Sequence, residues 1–394
     1  MIFLRAYASI WDFVNHVFGT HILSMPPNTY GFMMALAFMV GVFIGYKELK
    51  RRTDLGIFEK GTKQIVEGAA PQISDLISHF IIGFLIGWKG LGIYLNFAQF
   101  SQDPQNYILS SQGFFLGGIV VAALLGGYEY FQLKKKQLPN PETKIIRYNV
   151  EDRIFDILIL AMIGGVLGSK LMDAIDNPAS MNEFLTNPIQ SLTSGLSVLG
   201  GLWLAALLII FYGRKHKIKL WALTDSLAPA FFIAYAVGRL GCQFSGDGCW
   251  GIPSTLFAQP SWVPDFLWGN TYAHNVNEVG APIMNCAGRY CMELTEPHFP
   301  TPIYEALMVS ALFLILWAVR KRITFHFGSM TGLFMIFNGI ERFLIEFIRV
   351  NTKYKFLGLN LSQAQYISIG MIIAGIIIMI WAMNQAKLSK EKKS

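Results

Sequence analysis

Ionisable side chains interrupt an apolar stretch toward the end of the 394-residue chain. Arg342, Glu346 and Arg349 lie in Phe337-Asn338-Gly339-Ile340-Glu341-Arg342-Phe343-Leu344-Ile345-Glu346-Phe347-Ile348-Arg349. Their spacing, i, i+4 and i+7, sets all three on one face of a helix. Two cations and one anion leave net positive charge, which suits an anionic ligand in a polar cavity; an ion ladder that only holds helices together is the alternative. A second cluster is Gly238-Arg239-Leu240-Gly241-Cys242-Gln243-Phe244-Ser245-Gly246-Asp247-Gly248-Cys249-Trp250-Gly251. Five glycines in fourteen residues predict a broken helix whose backbone N–H groups a headgroup could approach beside Arg239. Pro300-Thr301-Pro302-Ile303-Tyr304-Glu305 brings Glu305 to the same level.

The elements that carry these residues follow from composition. A soluble chain of this length would form two or three domains. Here AVILMFWYC residues make up 53%, Asp, Glu, Lys and Arg only 14%, and mean hydropathy is +0.42. That excludes a soluble enzyme and a disordered chain, and leaves an all-α polytopic membrane protein. A hydrocarbon core about 30 Å thick needs about 20 mostly apolar residues per helix. About nine stretches qualify: 30–46, 76–95, 112–131, 154–173, 194–213, 221–243, 303–319, 328–349 and 364–386. Alternate connecting segments hold 23 of the 32 Lys and Arg residues, and the other segments hold four. This bias predicts a periplasmic N-terminus and a cytoplasmic C-terminus, and it accounts for the formal charge of +7 without nucleic acid.

The expected organisation is a periplasmic interfacial segment over 1–29, a transmembrane domain over 30–386 and a basic cytoplasmic tail over 387–394. The first segment contains one Arg and does not read as a cleaved signal peptide; an amphipathic helix from about Ile10 to Val17, ended near Gly19, fits better. The loop 251–301 is long enough to form an extracytoplasmic cap. In it Cys286 and Cys291 can pair, as can Cys242 and Cys249 beside the glycine-rich turn, although free thiols fit the latter pair equally. The seven histidines are dispersed, which gives no zinc cluster. Asp225 reads as a helix N-cap.

The chain also repeats itself. Ile82-Gly83 to Gly87-Trp88-Lys89 is echoed by Ile163-Gly164 to Gly168-Ser169-Lys170, and Leu116-Gly117-Gly118 by Leu199-Gly200-Gly201. Each copy is two helices joined by a neutral loop, so 76–131 reads as a duplicated helix pair. The copies either form halves of a transport path or repeat a packing unit whose glycines let helices approach closely. Lys89 and Lys170 either snorkel to the interface or meet lipid phosphate.

With these motifs in view, the chain resembles the prolipoprotein diacylglyceryl transferases, bacterial inner-membrane enzymes. The resemblance covers 22–48 and 154–385. It rests on Tyr30-Gly31, on Asp225 with Ala228-Pro229, on the turn from Gly238-Arg239 to Gly251, on Pro300 to Glu305 (the family's P-S-Q-L-Y-E) and on Arg342 to Arg349 (its F-R-x-x-x-E-F-F-R). The family's H-G-G-L-I-G aligns with Leu199-Gly200-Gly201-Leu202, so its histidine is absent; Cys242 replaces its asparagine, and Asp247 the glutamate of the turn.

The resemblance implies transfer of a diacylglyceryl group from phosphatidylglycerol to the lipobox cysteine of a prolipoprotein signal peptide in the bilayer, with no cofactor and no metal. Arg239 and Arg342 would stabilise the departing phosphate. Glu346 would orient Arg342 and Arg349, and Asp247 or Glu305 would accept the thiol proton. Tyr30, Gly246, Gly251, Tyr304, Arg349, Gly200 and Gly201 would bind substrate. The rival readings are a lipid transporter or translocator built on the repeat, and an inactive lipid-binding relative.

Overall fold

In a computed structural model the protein is mostly helical, described over residues 6–20, 28–102, 107–108, 110–176, 186, 198–286, 290–351, 353–356 and 358–391. The helices in chain order are α1 (Ile10–Phe18), α2 (Thr29–Asp54), α3 (Ile73–Leu85), α4 (Phe115–Lys135), α5 (Ile154–Asp176), α6 (Val198–Lys215), α7 (Leu220–Ser245), α8 (Thr301–Val319), α9 (Ser329–Ile345) and α10 (Gln363–Glu391). Among the described residues seven helical stretches are long and apolar enough to cross a membrane: Thr29–Asp54, Leu76–Leu95, Phe115–Lys135, Glu151–Ile175, Leu220–Ser245, Thr301–Val319 and Gln363–Leu388. Two further expected spans contain helices that are not among these seven. α9 has 17 residues and carries Asn338, Glu341 and Arg342, while the start of the span containing α6, 194–197, lies outside the described residues. Most of the segment 174–193 and Arg289 also lie outside them.

The chain forms two compact units, one made of Met1–Glu59, Glu151–Leu158 and Gly213–Ser394, the other of Lys60–Val150 and Ile159–Tyr212. The second unit contains the repeat and a two-stranded antiparallel ribbon, β1 (Gly61–Glu67) with β2 (Glu142–Tyr148). In both copies of the repeat the shared glycines are the points where helices touch. A Cβ on Gly87 would lie 2.2 Å from the Gly117 carbonyl oxygen, and one on Gly168 2.2 Å from that of Gly200. Gly83 meets Ala122, and Gly164 meets Ala205, in the same way. Backbones this close leave no room for a side chain, which is the small-residue packing expected of apolar helices. The Nζ of Lys89 donates to the carbonyls of Tyr107 (3.0 Å), Ser110 (2.5 Å) and Gln112 (2.6 Å), closing the loop that follows.

In the first unit α1 forms where expected. Ser9 and Asp12 make a capping box, and Gly19 ends the helix at φ 64°. α2 packs along α7, with Gly41 and Gly45 facing Ala230 and Ala234. A core of Ala228, Phe232, Ala236, Val309, Leu316 and Met330 joins α7, α8 and α9. α9 packs on α10 through Gly332, Gly339 and Gly375, each of whose missing side chains would collide with the opposite backbone.

Asp225 is a cap, but of another helix. It sits five residues inside α7, and its carboxylate accepts from Gly328 N (2.9 Å) and Thr331 N (2.8 Å) at the start of α9. Sequence position alone could not reveal a cap across 103 residues. Nearby, Glu48 pairs with Arg51 (2.5 Å), Arg52 (3.2 Å) and Arg320 (3.3 Å), fastening α2 to the end of α8. The described residues of 251–286 and 290–300 form a folded loop with a short ribbon, β3 (Ala281–Pro282) with β4 (Met292–Glu293), and a Cys286–Cys291 disulfide. Cys242 and Cys249 are free thiols.

Candidate functional site

Tyr235 and Arg239 are one turn apart on α7, so they share a face. The guanidinium of Arg239 lies 5.0 Å from the Tyr235 ring centroid. Glu305, fully buried in the first turns of α8, binds both: its Oε2 lies 2.6 Å from Arg239 Nε and accepts from Tyr235 OH at 2.7 Å. Its Oε1 accepts from Arg349 Nη1 at 3.1 Å. One carboxylate thus holds two guanidinium groups and a phenol, which leaves positive charge in excess.

Arg349 reaches Glu305 because α9 stops. The helix ends at Ile345, a 3₁₀ turn spans Glu346–Ile348, and Arg349 is extended, in a bridge with Gly251. The expected single helical face of Arg342, Glu346 and Arg349 is therefore corrected. Arg342 Nη2 pairs with Glu346 Oε2 at 3.0 Å, and the other oxygen of Glu346 accepts from Asn351 Nδ2. Glu346 orients Arg342, whereas Glu305 orients Arg349, because the break after Ile345 turns Arg349 toward α8. Arg342 Nη1 is buried and meets no acceptor among the described residues.

The glycine-rich turn is built differently from its sequence expectation. Gly238 and Gly241 lie inside α7, where Gly241 accommodates Met33 and Tyr30 of α2; Gly246 ends the helix at φ 63°. The Gly246 and Gly251 N–H groups donate to Cys242 O (3.1 Å) and Phe299 O (2.9 Å). They shape the backbone and are not free headgroup donors, since each N–H is already used. Asp247 accepts from Cys249 N at 3.2 Å. The Cys249 thiol hydrogen-bonds with Cys242 and lies 3.6 Å from Arg239 Nη1; the Cys242 bond, aided by the Arg239 and Arg349 charges, pulls it below its ordinary titration range. Cys242, Asp247 and Cys249 offer ligand atoms within 4.8 Å of one another. The guanidinium beside Cys249 opposes a cation there.

Tyr30 is partly exposed beside Gly241, within the electrostatic reach of Cys242, Asp247, Cys249 and Arg239. Tyr304 donates to the Leu267 carbonyl, which ties α8 to the folded loop. Gly200 and Gly201 belong to the other compact unit, where Gly200 packs on Gly168 and Gly201 on Ser169 and Gly165. Their observed role is helix contact.

Gly251 has a measurable consequence. A Cβ there would lie 2.5 Å from the Ile348 carbonyl oxygen and 2.9 Å from Thr301 Cγ2. Gly251→Ala is expected to cost about 1–3 kcal/mol by overpacking, read as a lower unfolding midpoint of the solubilised protein. An unchanged midpoint would show that the bridge to Arg349 yields without strain.

Tyr235, Asn351 and Glu341 join the cluster without having been singled out by sequence. The i, i+4 spacing to Arg239 could have found Tyr235. Asn351 lies beyond the expected span. Glu341 is off the face defined by Arg342 and Glu346, so periodicity hides it.

The family model for prolipoprotein diacylglyceryl transferase matches residues 114–381, which include α7, α8 and α9 but not Tyr30. A phosphatidylglycerol–prolipoprotein diacylglyceryl transferase of Pseudomonas paraeruginosa is 28% identical over 238 residues, 59% of this chain and 77% of the relative. Those of Aliivibrio fischeri and Enterococcus faecalis are each 29% identical, over 259 residues (64% of this chain, 80% of the relative) and 241 residues (58% and 75%).

Proposed function

Because the chain belongs to the prolipoprotein diacylglyceryl transferase family, we propose that it moves the diacylglyceryl group of phosphatidylglycerol onto the cysteine thiol of a prolipoprotein. The observation that carries this reading is the donor set around α9. Arg342 presents a buried N–H without an acceptor, beside a clamp in which one carboxylate balances two guanidinium groups. An anionic phosphodiester supplies the missing acceptor and charge.

The thiol sulfur attacks the glyceryl carbon, the carbon–oxygen bond to phosphate breaks, and its electron pair leaves with the phosphate oxygen. Negative charge grows on that oxygen, and fixed guanidinium donors in a dry site favour the transition state over the ground state. Arg342 serves the leaving oxygen. Arg239 and Arg349, held by Glu305, set the field, and Tyr30 at the start of α2 offers a hydroxyl to the glycerol headgroup. Tyr304 shapes the entrance through its tie to the loop.

The Lys and Arg distribution supports a bacterial inner-membrane protein of nine spans with the N-terminus and the loop 251–301 outside, so the site faces the periplasmic leaflet. Residues 1–29 then lie along the interface and 387–394 in the cytoplasm. The signal peptide enters from the bilayer with its lipobox cysteine at this level.

Purified protein incubated with phosphatidylglycerol vesicles and a lipobox peptide is expected to raise the peptide mass by one diacylglyceryl unit. A peptide lacking the cysteine stays unmodified. Glycerol phosphate released without peptide modification would point to a phospholipase and overturn the reading.

A further inference from the structure

The other carboxylates around the arginines each have a partner. Glu305 binds Arg239, Tyr235 and Arg349; Glu346 binds Arg342 and Asn351; Asp247 accepts the Cys249 N–H. Glu341 differs. It is 2% exposed, and neither of its oxygens meets a hydrogen-bond donor among the described residues. The charges that act on it are those of Glu305, Arg239, Arg342 and Arg349, so it faces the same cluster. A buried carboxyl group left without a partner is costly, and a catalytic role is one reason for such a group to be kept.

Glu341 also adjoins Arg342, whose Nη1 is buried without an acceptor among the described residues. An unmatched acceptor and an unmatched donor on neighbouring residues are the two groups that a displacement reaction needs, one for the proton of the nucleophile and one for the leaving oxygen.

We propose that Glu341 is the general base that takes the lipobox thiol proton, directly or through one water. This rests on the reading of the chain as a diacylglyceryl transferase. The S–H proton passes to a Glu341 oxygen as the sulfur forms its bond to the glyceryl carbon. The carbon–oxygen bond breaks with its electrons going to phosphate, and the proton is then released to the departing glycerol phosphate or to water. Glu305 acts as a positioning residue, because both its oxygens hold guanidinium groups.

The test pairs two nucleophiles. Glu341→Gln keeps the shape and removes the base; with a cysteine lipobox peptide and phosphatidylglycerol vesicles, turnover is expected to fall about 10²- to 10⁴-fold. With the same peptide carrying selenocysteine, whose selenol is already ionised at neutral pH, the variant is expected to approach the wild-type rate. Arg342→Gln is the control and stays slow with both peptides, since it serves the leaving group. Glu341→Asp retains a carboxyl group and is expected to fall between wild type and Gln with the thiol; it is read the same way if the Gln variant inserts poorly. Wild-type thiol turnover in Glu341→Gln, or equal losses with thiol and selenol, overturns the assignment. A wild-type protein that modifies neither peptide overturns the transferase reading itself.

Discussion

Arg342→Gln is expected to lower diacylglyceryl transfer about 10²- to 10³-fold at saturating phosphatidylglycerol, the scale for losing one preorganised donor to developing charge. Arg342 is held by Glu346 at 3.0 Å through Nη2, which fixes the guanidinium and leaves Nη1 without an acceptor. Glutamine keeps a polar tip but loses the charge and the second donor, so the loss belongs in kcat more than in KM. Arg239→Gln should give a comparable loss in kcat, and it also releases Glu305 from one of its partners. Turnover near wild type in Arg342→Gln, with normal membrane insertion, would remove this residue from the site.

Glu305→Gln is expected to damage stability and activity together. Glu305 is fully buried, and Arg239 and Arg349 are mostly so, with 15% and 16% of their side chains exposed. Removing one partner of a buried ion pair costs about 3–5 kcal/mol, because the other charges stay behind uncompensated. Here two guanidinium groups lose their counter-charge, and a glutamine N–H₂ turned toward either would oppose its donors. The solubilised variant should unfold at a clearly lower temperature and transfer little lipid. Glu305→Asp, which keeps the charge but shortens the reach, should recover part of the stability. An unchanged midpoint and rate in Glu305→Gln would mean that the arginines find other anions and that the clamp is dispensable.

These two experiments separate roles that the sequence presents alike. Arg239, Arg342 and Arg349 are three arginines in apolar surroundings, and nothing in their spacing says which is committed and which is free. The structure distinguishes them by partner. Arg349 and Arg239 are held from opposite sides by one carboxylate, whereas Arg342 retains an open donor.

The sequence by itself determined the helical, membrane-spanning character, since apolar runs of about 20 residues have few other stable forms. It also determined the repeat, because glycines at fixed offsets are needed wherever two backbones touch, and Gly87 with Gly117 and Gly168 with Gly200 do touch. Local signals sufficed for α1, whose cap, length and glycine stop lie within eleven consecutive residues, Ser9 to Gly19. The residue types of the site were legible for a similar reason: ionisable groups inside apolar stretches are too costly to be incidental.

Only the tertiary structure decided how those residues combine. The end of α9 at Ile345 turns Arg349 away from Glu346 and toward Glu305, and helical periodicity cannot anticipate a break set by the bridge between Gly251 and Arg349. Asp225 caps a helix whose N-cap residue, Gly328, lies 103 residues later. Glu341 stands out only when the hydrogen bonds of the neighbouring carboxylates have been assigned in three dimensions. Pairing of buried charges is a property of three-dimensional neighbourhoods, in which side chains 44 or 70 residues apart meet within 3.1 Å; periodicity along the chain reports only which face of a helix a residue shares, not which partner meets it there.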